Sequence, residues 1–338
     1  MSREKNELVK LDFNFTNRCN YRCIHCCFNS GELDLGEMTF AKIESVLREF
    51  VSIGGRRIDI TGGEPLMRKD INFVVALAKK LGIKTELVTN ASLLTERKLD
   101  FFKSVGLDGI AVSVDGSTAE GYNVIRRRDE RTFNRVLRMI RKSAELGFYT
   151  KVNTVIFNSN LRDLKNISRL AIDLGAKEHG FYYFSPIGRG CSSYAQVADP
   201  LEWLKIIRGE LWLLRNSIEF YLEVPIIEAE IAQSRNLKIG CFMQDPWHLQ
   251  ILPQGNTYPC AIMSSYDRPV GNLYEKSLTE LWNSPDLRDG RYYEQNIAPL
   301  MAENAACVAY PSFNHLIRSG DYKFVCLCTK FPIEEIMA

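Results

Sequence analysis

The sequence predicts an α/β fold, a partial (β/α)6 TIM-like barrel followed by a smaller C-terminal domain, and three observations carry that prediction. Six short β-rich runs alternate with stretches of helical period between residue 9 and about residue 190. The alternation then stops. From about residue 235 the texture changes to short runs with Pro, Gly and five further cysteines. Strands that alternate with helices imply right-handed βα units around a parallel sheet. Six such units are two short of a closed eight-stranded barrel, so the sheet is expected to stay open.

The strand candidates, in order, are VKLDFNF (9–15), RIDIT (57–61), TELVT (85–89), GIAVSVD (109–115), KVNTVIF (151–157) and GFYYFS (180–185). Helical period marks TFAKIESVLREFVSIG (39–54) and TFNRVLRMIRKSAELG (132–147). Each opens on a Thr at an N-cap position and closes on Gly, the start and stop signals of helices. After SPIGRG (185–190), the segment PLEWLKIIRGELWLLRN (200–216) reads as a connecting helix. The expected boundaries are therefore 1–195 for the barrel, 196–234 for a helical linker and 235–338 for the second domain. Within that domain, CFMQDPWHLQILPQGNTYPC (241–260) reads as a β-hairpin with PQGNT at its turn.

Composition narrows the function classes. The chain has 338 residues, 46% hydrophobic and 25% charged, as in an ordinary globular protein. A net charge of +2 provides no basic field for nucleic acid, and there is no acidic tail. Apolar runs such as FVVALA (73–78) are too short to span a bilayer, and MSREKNELVK lacks the apolar centre of a secretory signal. The expectation is a cytoplasmic protein with neither nucleic-acid nor membrane partners. Thiols stay reduced there, so clustered cysteines point to metal or catalysis rather than disulfides.

The chemistry concentrates first in RCNYRCIHCCF (18–28), where Cys19, Cys23 and Cys26 have the spacing C-x3-C-x2-C in the loop after the first strand. Such a loop can turn three thiolates onto one face of a [4Fe–4S] cluster. One iron is then left open for a small chelating ligand, unlike the four-cysteine clusters that only carry electrons. A structural zinc site with His25 as fourth ligand is the alternative reading of the same spacing. The second strand runs into TGGEP (61–65), whose glycines let backbone approach a ligand and whose Glu64 suits an amino group.

In this order, from about residue 9 to 190, the stretches resemble the radical S-adenosylmethionine (SAM) superfamily. The resemblance implies that Cys19, Cys23 and Cys26 hold a [4Fe–4S] cluster whose open iron chelates the amino and carboxylate groups of SAM. One electron then cleaves SAM to methionine and a 5'-deoxyadenosyl radical, which abstracts hydrogen from an unactivated C–H bond. It also implies that Gly62, Gly63, Glu64 and Pro65 hold the methionyl amino group. His25, where the family usually has an aromatic residue, would lie against the adenine. Asn90, Ser113 and Asp115 would serve the ribose and carboxylate. Arg126, in YNVIRRRDERTF (122–133), would face the SAM carboxylate, and Asn153 and Ile187 would reach the ribose and adenine. Turn and cap roles are the structural alternative for such polar residues at strand ends.

Cys241, thirteen residues, Gly255, four residues and Cys260 resemble the opening of the SPASM and shorter twitch extensions, which carry auxiliary [4Fe–4S] clusters. VGNLYEKSLTELWNSP (270–285) resembles the link that follows. The full SPASM pattern continues with C-x2-C-x5-C-x3-C and two auxiliary clusters, whereas this chain offers Cys307, Cys326 and Cys328. The resemblance therefore implies one auxiliary cluster on Cys241, Cys260, Cys307 and one of Cys326 or Cys328. A three-ligand cluster open to substrate, a zinc knuckle and free thiols are the alternatives. Cys27 and Cys191 fall outside both patterns; each reads as a small buried hydrophobe or as a hydrogen-atom donor to a substrate radical. His179, His248 and His315 are isolated and read as structural.

Two substrate classes fit. One is a ribosomally made peptide or protein, cross-linked, epimerised or oxidised. The other is a small metabolite, an aminocyclitol or sugar or a tetrapyrrole, being dehydrogenated, epimerised or decarboxylated. The doubled cysteine and the SPASM-type domain favour a peptide. The first strand starts near residue 9 and leaves no room ahead of it for a leader-peptide-binding domain, so a separate recognition protein or direct capture is expected. A flavodoxin- or ferredoxin-type electron donor is implied. A non-catalytic iron–sulfur or zinc protein is the reading outside enzymes.

Overall fold

The computed structural model describes residues 8–31, 36–235, 237, 241–244, 246–304, 314–326 and 330–337. Six strands, β1 (Lys10–Asn14), β2 (Arg57–Thr61), β3 (Lys84–Thr89), β4 (Gly109–Ser113), β5 (Tyr149–Ile156) and β6 (Glu178–Tyr183), pair in parallel and in chain order. The helices α1 (Phe40–Ser52), α2 (Ile71–Lys80), α3 (Glu96–Ser104), α4 (Ala119–Arg126), α5 (Glu130–Glu145) and α6 (Leu164–Asp173) connect them. Thr39 caps α1 by accepting from the Lys42 N–H, and Gly54, at φ +92°, follows its end. The second expected cap is corrected: Asp129, not Thr132, caps α5, accepting from the Thr132 N–H. Both are capping residues, but the earlier one lets the helix gain most of a turn before its buried face begins at Phe133.

Alternation sorts the strand residues. Leu11, Phe13, Ile58 and Ile60 join α1 residues such as Val46 and Phe50 in the main core, while charged residues occupy the opposite face and pair across strands. Lys10 binds Asp59 (2.6 Å), Arg57 approaches Glu86 (3.6 Å), and Lys151 reaches both Glu86 (2.9 Å) and Glu178 (3.1 Å). Lys151 on β5 can reach Glu86 on β3 because β4 presents only Gly109 and Ala111 between them. The sheet is curled. Tyr182 on β6 feels the charges of Glu86, Lys10 and Asp59 on the first three strands, yet in a flat sheet β6 and β1 would lie about 24 Å apart.

The segment 196–234, expected as a helical linker, is only partly helical. α7 (Pro200–Ile206) is followed by β7 (Glu219–Glu223), a seventh strand parallel to β6, then by β8 (Ile226–Glu228) and α8 (Ala229–Ser234). The run EFYLE reads as polar because its glutamates line the charged face, where Tyr149 donates to Glu219 (2.6 Å), while Phe220 and Leu222 are buried.

The C-terminal part is woven into the barrel. β9 (His248–Ile251) adds in parallel to β1 and turns through Gly255, at φ +91°, into β10 (Asn256–Tyr258), forming the expected hairpin. β11 (Gly271–Asn272) pairs with β10, β12 (Tyr322–Phe324) with β8, and β13 (Lys330–Pro332) with β7. Both edges of the barrel sheet thus carry C-terminal strands, making eleven strands in one sheet. A further helix, α9 (Leu278–Trp282), starts in a capping box of Ser277 and Glu280. Glu49 of α1 adds to that cap, accepting from the N–H groups of Leu278 (3.0 Å) and Thr279 (2.9 Å). Among the described residues no helix is long and apolar enough to cross a membrane.

Candidate active site

The C-terminal ends of β1, β2, β3 and β6 converge on the cysteine loop. Gly63 N–H donates to Thr16 O (2.7 Å) and Glu64 N–H to Arg18 O (2.8 Å), which lays the TGGEP turn along the loop. Gly62 is required there: its φ is +144°, and a Cβ would lie 2.5 Å from Thr16 O. Cys19 and Cys23 are buried and Cys26 half-buried. Each sulfur has an N–H donor: Tyr21 N on Cys19 (3.4 Å), Arg126 Nη1 on Cys23 (3.7 Å) and Ser30 N on Cys26 (3.2 Å). Burial pushes the Cys19 thiol up to about 12, and the neighbouring Glu64, Cys23 and Cys26 add to the shift. Burial also raises Cys23. The Cys19 and Cys23 thiols are therefore protonated until a metal displaces the protons, and the three N–H donors are partners of the kind that tune bound thiolates.

The expected cofactor residues divide into two groups. Glu64 has no exposed surface; its Oε1 accepts from Leu66 N (3.1 Å) and Thr89 Oγ1 (2.7 Å), and its Oε2 from Asn90 N (2.8 Å). Burial raises its carboxyl to about 7 against the pull of these bonds. Its carboxylate braces β2 to β3, so the part of this turn open to an amino group is backbone. Pro65 opens the short helical turn that follows. Asn90 donates to Asn20 Oδ1 (3.0 Å) and accepts from Ser92 N (3.0 Å) and Oγ (2.7 Å), a turn role that also ties the cysteine loop to β3. Asp115 is fully buried, accepting from Val155 N (2.8 Å) and pairing with Arg126 Nε. It fixes Arg126 beside Cys23.

Ser113, His25, Asn153 and Ile187 form the second group. Ser113 and Asn153 are register partners on β4 and β5. Asn153 Oδ1 and His25 Nδ1 are buried without hydrogen-bond partners. Burial, with Arg126 and Arg189 nearby, lowers the His25 imidazole to about 3, so it is neutral; it lies edge-on to Phe157 with ring centroids 5.8 Å apart. Ile187 is half-buried in the loop after β6. Three thiols in one loop, two unsatisfied buried polar atoms and an arginine beside them fit an iron–sulfur cluster with SAM. Sequence reasoning missed Thr89, Asn20 and Arg189, which hold this arrangement by long-range hydrogen bonds rather than by spacing.

The second cysteine group also assembles. Cys241 precedes β9, Cys260 follows β10 and Cys326 follows β12. The Cys241 thiol is raised first by its hydrogen bond with Cys326, then by burial, with Cys260 nearby. Cys307 and Cys328 lie outside the described residues. Among the described residues no three His, Cys, Asp or Glu close around one point as a single metal ion requires. His179 is buried between Thr154 (2.8 Å) and Ser168 (3.0 Å), and His248 stacks on Phe242, both structural as expected. Cys27 is half-buried and Cys191 exposed.

Comparison with known proteins agrees with this arrangement. Residues 13–171 match the Radical SAM superfamily and residues 241–307 the iron-sulfur cluster-binding SPASM domain. An AdoMet-dependent heme synthase of Methanosarcina barkeri is 25% identical over 80% of each chain. The subtilosin biosynthesis protein AlbA of Bacillus subtilis is 25% identical over 81% of this chain and 59% of its own length. Among solved structures, Streptococcus suis SuiB bound to precursor peptide SuiA superposes with a TM-score of 0.71 at 16% identity, covering 96% of this chain and 76% of SuiB. SAM, a [4Fe–4S] cluster and auxiliary iron–sulfur chemistry are the cofactors of these domains. The two domain matches fall in order on the two cysteine groups, and the chain belongs to the radical SAM superfamily, in the branch that carries a C-terminal SPASM domain.

Proposed function

We propose that this radical SAM enzyme modifies a ribosomally made peptide or protein, by cross-linking, epimerisation or oxidation. The observation that carries the reading is the charge of the curled face. There, Asp12, Asp59, Glu86, Glu178, Glu219 and Glu223 outnumber Lys10, Arg57, Lys84 and Lys151. Most of these charges pair across the strands, and the surplus of two acids favours neutral or basic peptide side chains over a polycarboxylate such as a tetrapyrrole precursor. AlbA, by its name, serves bacteriocin biosynthesis, and SuiB was solved with a precursor peptide. The heme synthase, similar over most of both chains, keeps a small-molecule substrate as the second reading.

In this reading Cys19, Cys23 and Cys26 hold the first cluster. Gly62 and Gly63 offer backbone to the methionyl end of SAM, and Arg126 keeps a fixed positive charge beside Cys23 for its carboxylate. Ser113, Asn153, His25 and Ile187 supply the polar and apolar contacts to ribose and adenine. When bound, the cluster supplies the electron that releases a 5'-deoxyadenosyl radical from SAM, and this radical abstracts hydrogen from substrate. Cys241, Cys260, Cys307 and Cys326 would hold an auxiliary cluster. A flavodoxin- or ferredoxin-type donor, a separate peptide-recognition protein and a cytoplasmic location belong to the same proposal.

The test is anaerobic. Reconstituted protein with SAM and dithionite should form 5'-deoxyadenosine. Adding a deuterated candidate peptide, such as one encoded beside the gene, should move deuterium into that product. Label arriving from a deuterated tetrapyrrole, and none from peptides, would replace the peptide reading with the small-molecule one.

A further inference from the structure

We propose that Arg189 is a positioning residue that clamps the cluster-binding loop from the far side of the barrel. The proposal rests on the assignment of Cys19, Cys23 and Cys26 as cluster ligands. Arg189 lies in the loop after β6 and meets the cysteine loop at three points. Its backbone N–H donates to Cys26 O (2.9 Å), its Nη1 to Cys23 O (3.1 Å) and its Nη2 to Ser30 O (2.6 Å). The two side-chain bonds leave from one planar fork. They therefore set the distance between the carbonyl of the second cysteine and the end of the loop. The backbone bond holds the third cysteine in between.

Gly188 makes the approach possible. Its φ is +57°, and a Cβ there would lie 2.2 Å from Cys27 O and 2.7 Å from Cys26 O. Any side chain would push the two loops apart. Ile187, assigned to the adenine, is the next residue back, so residues 187–189 join the cofactor's far end to the loop that holds the iron. Lysine is a single point donor and cannot span Cys23 O and Ser30 O together.

The experiment follows the SAM-responsive electron paramagnetic resonance signal of the dithionite-reduced protein as the iron chelator ferrozine removes the cluster. Arg189→Lys and Arg189→Gln should both lose that signal about 10–100-fold faster than wild type, the usual effect of removing a partner one layer behind a metal ligand. The melting temperature of their apoproteins should stay that of wild type. Gly188→Ala, which keeps the arginine but separates the loops, should accelerate the loss similarly. Wild-type kinetics in these variants, full rescue by lysine, or a matching drop in apoprotein melting temperature would each overturn the clamp. A wild-type protein with no SAM-responsive signal would overturn the ligand assignment itself, and the clamp with it.

Discussion

Cys19, Cys23 and Cys26 sit within a single loop of one βα unit, whereas Cys241 and Cys260 bracket the β9–β10 hairpin and Cys326 arrives from a distant segment. The first group is shaped by its own turn and tightened by neighbours: Gly63 and Glu64 from the end of β2, Asn90 from β3 and Arg189 from beyond β6. The second group shares one hairpin between Cys241 and Cys260, but Cys326 has no local turn in common with them. It exists because β9 pairs with β1 and β12 pairs with β8, which brings Cys241 to Cys326. A site within one loop can form as soon as its strand and turn are in place. A site made at two sheet edges forms only when the barrel it is built on is complete, and long-range pairing of that kind is slow.

That contrast can be broken from either end. The largest effect is expected in the cysteine variants. Alanine at Cys19, Cys23 or Cys26 should abolish 5'-deoxyadenosine formation while the auxiliary iron stays bound. Cys241→Ala or Cys326→Ala should halve the iron and leave SAM cleavage running without substrate turnover. Iron analysis and a 5'-deoxyadenosine assay read both. Cys328→Ala, if Cys326 is the ligand, should keep wild-type iron.

Next in size is the buried pair behind the first site. Asp115→Asn leaves Arg126 buried with its charge unpartnered, which costs about 3–5 kcal/mol. Denaturant unfolding should show that loss in the apoprotein, before any cluster is added.

Glu64 supplies a pH test. Its carboxyl sits near 7 against an ordinary value near 4.5, so between those values the folded protein holds a proton that the unfolded chain releases. Stability from this group is fully present below about 4.5 and declines as pH rises to about 7. Thermal melts of the apoprotein should show that decline in wild type and lose it in Glu64→Gln. The smallest effect is expected at the seam between the two parts. Burial pushes the Glu49 carboxyl up, but the N–H groups of Thr279 and Leu278 win and hold it below its usual value. Its contribution is therefore present above about pH 4.5 and fades as pH falls through the lowered value. Glu49→Gln should cost under about 1 kcal/mol at neutral pH, because the pair is partly exposed. A double mutant with Cys241→Ala should show whether that cap also steadies the auxiliary site.

The first site was legible in the sequence to the extent that its parts were local. Spacing placed Cys19, Cys23 and Cys26 in the loop after the first strand, and the glycines of TGGEP where backbone must approach backbone. Glu64, Asn90 and Asp115, expected at the cofactor, brace neighbouring strands and loops, the turn and cap role that the sequence left open beside a ligand role. A carboxylate or amide at a strand end looks the same whether it faces a ligand or braces a neighbour. The bonds to Thr89, Asn20 and Val155 that give them the bracing role join residues far apart in the chain. β7 escaped notice for a related reason, since its glutamates face a charged lumen where a packed barrel would place apolar side chains.

The sequence by itself determined the barrel's strand order, its helix starts at Thr39 and its hairpin at PQGNT, because periodicity, caps and turns act over a few residues. It also determined the cluster loop, because three ligands within eight positions need no distant partner. Only the tertiary structure decided that Cys326 lies against Cys241, that the C-terminal strands extend both edges of the barrel, and that an arginine at 189 grips the loop of residues 18–30. Those contacts depend on sheet curvature and strand pairing, which bring together residues that no local pattern relates.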